Sequence, residues 1–237
     1  MKITIHQPEY LPWLGFFDKI RQCELLVLLD HVPFTKNYFQ NRNRIRGING
    51  PVWMTVPVKT KGKFNQPIRE VEIDNANPWK RKNLNTLLQN YSKAPFFDQY
   101  APFFNNLYQK DWPLLSELNE TCTRYLLEQL GITVKLVRSS SLDPQGKKSD
   151  LILDICKKTG TSSYLSGISG KEYLHEPSFR EAGIEIQYQE FHHPIYTQLH
   201  EPFISCMSAV DLLFNHGPKS LEIIQGIGAQ TMEQLFH

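Results

Sequence analysis

Two rhythms of apolar and polar positions alternate along this chain. A predicted strand over residues 2–5 leads straight into His6. The polar and aromatic loop His6-Gln7-Pro8-Glu9-Tyr10-Leu11-Pro12-Trp13 comes next, and Gly15, Phe16, Phe17 and Ile20 then suit a short helix. An apolar run, Leu25–Leu29, ends on Asp30-His31. Strand, loop, helix and strand in that order predict a βαβ unit of parallel strands with a right-handed connection. Residues 43–48 and 51–58 read as a hairpin turning at Asn49-Gly50, which puts Arg42 and Arg44 on one face because strand side chains alternate. Residues 68–73 predict one more short strand.

The period then changes. Trp79, Leu84, Leu87, Leu88 and Tyr91 recur at helical spacing, with Asn75 or Asn77 as candidate caps before Pro78. A second helix after Pro95 carries Phe96, Phe97, Tyr100, Phe103, Phe104, Leu107 and Tyr108, an aromatic stripe that reads as core. A third runs from about Pro113 to Leu130 and stops at Gly131. The β/α rhythm returns with strands at 134–138, 163–166 and 184–188. Between them lie a helix through Lys158, capped by Ser149 or Asp150, and a short one ending near Phe179 and Ala182. Further helices are expected over 208–215 and from near Pro218. The expected fold is α/β: one domain over residues 1–237 with a mainly parallel sheet flanked by helices, and a helical subdomain at about 77–131.

Composition narrows the class. Hydrophobic residues make up 41% and charged residues 21%, which fits a folded core rather than disorder. A net charge of +2 gives no footprint for nucleic acid, so any basic feature is local. Cys23, Cys122, Cys156 and Cys206 form no C-x-x-C pair and sit among apolar neighbours, so four free thiols are expected. No apolar run approaches a membrane span and no secretory signal is legible, so the expected compartment is the cytoplasm.

Candidate chemistry gathers where strands end, because ligands of parallel sheets sit beyond the carboxyl ends of the strands. His6 is the candidate acid/base, titrating nearest neutrality, with Asp30 at the end of the next strand to orient it. A buried His bonded to a backbone carbonyl is the alternative. Lys36, Asn41, Arg42 and Arg44 offer amide and guanidinium donors suited to a phosphate or carboxylate; a solvated strand face is the alternative. Residues 59–67 read as a surface loop or a flap. Gly167-x-Ser169-Gly170-Lys171 follows a strand and lets backbone N–H groups approach an anion, or is a plain turn. It lacks Walker A spacing. His192-His193 with His200 or Asp211 invites a metal, but neighbours on a strand face opposite ways, so no metal site is assigned.

Several of these stretches together resemble the WbqC-like protein family. The resemblance is carried by His-Gln-Pro-x-Tyr-x-Pro-Trp-x-Gly from His6 to Gly15 and by the apolar strand ending at Asp30. It continues through Gln40–Ile45, Trp53–Val58, Tyr164–Leu174, Tyr196–Leu199 and Ser208–Phe214. It covers nearly the whole chain and implies a bacterial role in surface-polysaccharide biosynthesis, making or decorating sugars. The first βαβ unit is also similar in outline to α/β nucleotidyltransferases, but their His-x-Gly-His pair is replaced by Pro12-Trp13-Leu14-Gly15. Three functions follow as candidates. The first is a transferase of acyl or aminoacyl groups to a nucleotide-linked amino sugar, with His6 and Asp30 catalytic. Its substrate would be held by Gln7, Tyr10, Trp13, Lys36, Asn41, Arg42, Arg44, Gly167, Ser169, Gly170, Lys171 and Tyr173. The second is an ATP-using ligase or nucleotidyltransferase-like enzyme, and the third a non-catalytic binding protein of the pathway. The expected partner is an anionic small molecule, with a nucleotide sugar as the candidate, and not nucleic acid. No residue pattern specifies a cofactor or an oligomeric state.

Overall fold

The computed structural model describes residues 1–227. Five strands form one parallel sheet: β1 (Lys2–His6), β2 (Leu25–Leu28), β5 (Lys135–Arg138), β6 (Ser163–Ser166) and β7 (Glu185–Tyr188). Their spatial order is β5-β2-β1-β6-β7. The expected pairing of residues 2–5 with 25–29 is present and parallel, with Ile3 opposite Leu25 and His6 opposite Leu28. Leu25–Leu28 is apolar at every position and buried at every position, as a central strand covered on both faces must be.

Register decides which layer each residue enters. Ile3, Ile5, Leu25 and Val27 share one face, packed with α5 (Ser149–Lys158) and Phe179 of α6 (Glu176–Glu181). Leu26 and Leu28 share the other, packed with Phe16, Phe17 and Ile20 of α1 (Leu14–Arg21). His6 lies on that second face, and its ring meets Phe16 edge-on at 4.8 Å. The same layer takes α2 (Trp79–Tyr91), α3 (Phe97–Gln109) and α4 (Leu115–Gln129), and also α7 (Ala209–His216) and α8 (Ser220–Ile224). The aromatic stripe expected on α3 lies in this core: Phe97, Tyr100, Phe104, Leu107 and Tyr108 are all buried. Cys23, Cys122, Cys156 and Cys206 are free thiols.

A separate antiparallel pair, β3 (Arg42–Gly47) and β4 (Gly50–Thr55), packs beside the sheet. Gly47 pairs with Gly50, so the turn residues are Ile48 and Asn49, one position earlier than the Asn49-Gly50 turn expected. Gly50 itself has φ +130°, which suits glycine. Other local expectations shift too. Residues 68–73 do not form a strand. Ile68–Glu70 is a 3-10 turn whose first amides donate to the carbonyls of Val32 and Asp30, which draws the chain across the end of β2. Asn75 caps nothing; its amide donates to the Trp112 carbonyl. Ser149 starts α5 rather than capping it, and its hydroxyl accepts from the His175 amide.

One buried network ties these pieces together. The Asp211 carboxylate accepts from Tyr91 (2.6 Å), Tyr196 (2.7 Å) and Gln198 (2.9 Å). The Tyr91 hydroxyl in turn accepts from the Arg46 amide at 3.0 Å. Burial pushes the Asp211 carboxyl up, and the three donors and nearby Arg46 push it back. Asp211→Ala leaves three buried donors unmet, a loss of about 3–5 kcal/mol. At about 2–4 °C per kcal/mol for a chain of this size, the melting temperature should drop by roughly 10 °C. A melt by circular dichroism within two degrees of wild type would show that the network carries little.

Candidate active site

The chain leaves β1 for β2 and β5 on one side, then returns to β6 and β7 on the other. The crossovers therefore diverge between β1 and β6, and a crevice opens beyond their carboxyl ends, the position where such sheets bind ligands. A cleft of about 600 Å³ lies there, lined by His6, Trp13, Lys19, Gly167, Ser169 and Phe191 among others. A narrower space of about 280 Å³ adjoins it, sharing His6, Lys19, Gly167 and Ser169, and adding Gln7, Glu9, Tyr38 and Tyr173.

The His6 ring is partly buried. Its Nδ1 lies 3.0 Å from the Gln7 carbonyl, which can only accept, so the proton sits on Nδ1 and Nε2 keeps its lone pair. Burial, with Lys19 nearby, drives the imidazole down to about 3, so it is neutral at pH 7. Glu9 is 3.9 Å from His6 Nδ1 and 7% exposed, and its Oε2 is buried with no hydrogen-bond partner. Burial raises this carboxyl to about 7 against the opposing pull of Lys19. Lys19 is 5% exposed on α1 and lowered to about 8, again chiefly by burial. Among the described residues no ion pair or hydrogen bond engages its ammonium, which borders both spaces. A buried, unpaired ammonium and a buried carboxylate with an unpartnered oxygen are costly, and such groups cluster where chemistry uses them.

The loop that carries Glu9 is clamped. Asn119 of α4 donates to the carbonyls of Pro8 (3.3 Å) and Gln40 (2.8 Å), Gln40 donates to Gln7 Oε1 (2.6 Å), and the Tyr10 amide donates to the Phe39 carbonyl (3.0 Å). Trp13 forms an aromatic wall with Phe191 (edge-on, 5.5 Å) and His193 (stacked, 6.3 Å). Gly15 must be small, because a Cβ there would stand 2.4 Å from the Trp13 ring.

The expected site residues divide. His6, Gln7, Trp13, Gly167, Ser169 and Tyr173 line the two spaces. Asp30 does not back His6: Ser139, the Ser140 amide and the Ser140 hydroxyl occupy its carboxylate, which anchors the turn after β5. Tyr10 is fully buried, and its hydroxyl meets Tyr108 at 2.5 Å, so it offers no ring to a ligand. Asn41 donates to the Val56 carbonyl and braces the hairpin. Lys36 is exposed in the loop before it and lines neither space. Gly170 packs against Ser166, where a Cβ would stand 2.0 Å from the hydroxyl, and Lys171 turns away over the Tyr188 ring. Arg42 and Arg44 lie over Trp53, outside the cleft. The 59–67 loop sits on the surface, where Lys59 and Lys63 pair with Glu72. His193 is engaged by the Pro194 carbonyl and the Cys206 amide, and His200 by the Asn90 carbonyl.

The sheet order and the cleft define a parallel α/β protein whose candidate ligand site lies at its topological switch point. The chain belongs to the WbqC-like protein family, whose model matches residues 7–223. It is 32% identical over 226 residues to a Mycobacterium tuberculosis (strain ATCC 25618 / H37Rv) protein named "Uncharacterized protein Rv1507c", covering 94% of this chain and 97% of that one. No solved structure matches. Among the described residues no helix is long and apolar enough to cross a membrane.

Proposed function

We propose that this protein is a cytoplasmic transferase that places an acyl or aminoacyl group on the amine of a nucleotide-linked amino sugar in surface-polysaccharide biosynthesis. The observation that carries the reading is Glu9: a buried carboxylate with one free oxygen and a proton affinity near neutrality, beside a neutral imidazole. A general base works best when its pKa lies near the working pH, so the base is Glu9. His6 Nε2 accepts a hydrogen bond from the substrate amine and positions it. The amine nitrogen attacks the donor carbonyl, a C–N bond forms, and the proton passes to Glu9. The donor's leaving group departs with its electron pair. The Lys19 ammonium offsets the negative charge that develops on oxygen. Trp13 and Phe191 give the sugar's C–H face an apolar wall.

A second reading, an ATP-using ligase or nucleotidyltransferase-like enzyme, is favoured by the parallel strand order, whose winding switches sides at the cleft between β1 and β6. A thermal-shift screen of nucleotide amino sugars, acyl-CoA compounds and ATP separates the readings. A site ligand at about a hundredfold over its dissociation constant stabilises by roughly 2.7 kcal/mol. The transferase reading expects a shift with a nucleotide amino sugar and with an acyl donor, and an N-acylated product by mass spectrometry without ATP. Product formed only with ATP supports the second reading. Shifts without any product would leave a binding protein of the pathway.

A further inference from the structure

The β3–β4 hairpin carries a cluster that the cleft does not absorb. Arg42 places its guanidinium carbon 4.3 Å from the centre of the Trp53 ring, and Arg44 places its own at 5.6 Å. Neither has a carboxylate in ion-pair range among the described residues. In each fork only Nε is both buried and unpartnered, so the terminal nitrogens are the part a ligand reaches. Arg46, the next arginine in the row, shows the contrast: it is 1% exposed, and its fork donates to the carbonyls of Gly47 and Pro202. Trp53 is 42% exposed and Tyr38 51% exposed, unusual for such rings. The rings form a continuous path: Tyr38 to Phe39 at 5.3 Å, then Phe39 to Trp53 at 6.3 Å. Tyr38 also lines the narrower space beside His6 and Glu9.

We propose that Arg42, Arg44 and Trp53 form a subsite for the diphosphate and base of a nucleotide, joined to the cleft by Tyr38 and Phe39. A guanidinium stacked on an indole is held in plane and presents its outer edge to phosphate oxygens in pairs. Exposed aromatic rings beside it accept a base face-on without selecting its sequence. The sugar in the cleft and the nucleotide on the hairpin are two ends of one ligand. The proposal rests on the transferase reading only for the nature of the sugar end.

The test titrates the full chain with UDP, ADP, GDP and inorganic pyrophosphate, by calorimetry. At least one nucleoside diphosphate should bind, and Arg42→Lys/Arg44→Lys, which keeps both charges but removes both forks, should weaken it at least tenfold. Trp53→Ala should weaken the nucleotide more than pyrophosphate. Glu9→Gln should bind the nucleotide like wild type. Phenylglyoxal labelling of wild type, read by peptide mass spectrometry, covers the case of a double variant that does not fold: saturating nucleotide should protect Arg42 and Arg44. The subsite is overturned if no nucleoside diphosphate binds wild type, if the folded double variant binds as tightly, or if protection is absent. Failure here with intact acyl transfer to a sugar leaves the cleft reading standing. Nucleotide binding on the hairpin with no effect of Glu9→Gln on turnover overturns the cleft reading and leaves the subsite.

Discussion

Glu9→Gln should lower kcat by about 10²–10⁴, the usual contribution of a positioned general base, with KM for both substrates little changed. Glutamine keeps the shape of the side chain but cannot take a proton. The pH profile gives the sharper readout. Glu9 is raised from 4.5 to about 7 by burial, so a base role requires kcat/KM to climb as pH rises through about 7. Lys19 is lowered from 10.5 to about 8, so the rate should fall again as its charge is lost above that pH. His6, held near 3, has no limb in this range. The fold should not suffer in the variant. The folded state holds the Glu9 proton to a higher pH than the unfolded chain does. Its contribution to stability is full below about 4.5 and is lost as pH rises through 7. Glutamine never ionises, so at pH 7.5 the variant should be at least as stable as wild type. Turnover within threefold of wild type, or a rising limb that stays at 7, would remove Glu9 from the reaction.

The sheet was legible because Ile3 and Ile5 alternate with polar neighbours, Leu25–Leu28 is apolar without interruption, and the two are separated by one loop and one helix. The rule that ligands gather at strand ends then located His6, Gly167 and Ser169. It failed for Asp30, because a strand-terminal carboxylate serves equally well to hold the next crossover, and Ser139 and Ser140 came from more than a hundred residues away to claim it. Alternation explains the split in Asn41-Arg42-Asn43-Arg44. The asparagines point inward, where Asn43 donates to the Leu11 carbonyl and Asn41 to that of Val56. The arginines point outward onto Trp53. Glu9 and Lys19 escaped notice because a charge in a loop or on a helix normally faces water. The pattern of α1 gave no warning: Leu14, Phe16, Phe17 and Ile20 fall on one side of the helix and Asp18 and Lys19 on the other, so the burial of Lys19 comes from the layers packed around α1. Tyr10 and Leu11 mark the Glu9 loop as one that runs inward.

Lys19→Met should make the protein more stable and inactive. Methionine matches the length of the aliphatic stem and carries no charge to desolvate. Lowering a lysine from 10.5 to about 8 corresponds to roughly 3 kcal/mol against holding the charge inside the fold. The sign follows from proton counting. Below about pH 8 the folded state must keep a buried ammonium that the unfolded chain leaves in water, so the penalty is full there. It fades as pH rises from 8 to 10.5, where both states come to bear the neutral amine. The variant should therefore melt several degrees higher at pH 7, and the gap should close by about pH 10.5. Two functional losses should accompany the gain. An anionic donor should lose affinity, because the only ammonium that borders both spaces of the cleft among the described residues has gone. Glu9 should also move further upward, since Lys19 is the charge that holds it down, and any residual activity should have its rising limb above pH 7. Melting curves from pH 6 to 10.5 and donor titrations on the same preparations read all three. A variant that melts no higher than wild type at pH 7 and still binds the donor with wild-type affinity would show that Lys19 is a structural residue, already satisfied within the fold.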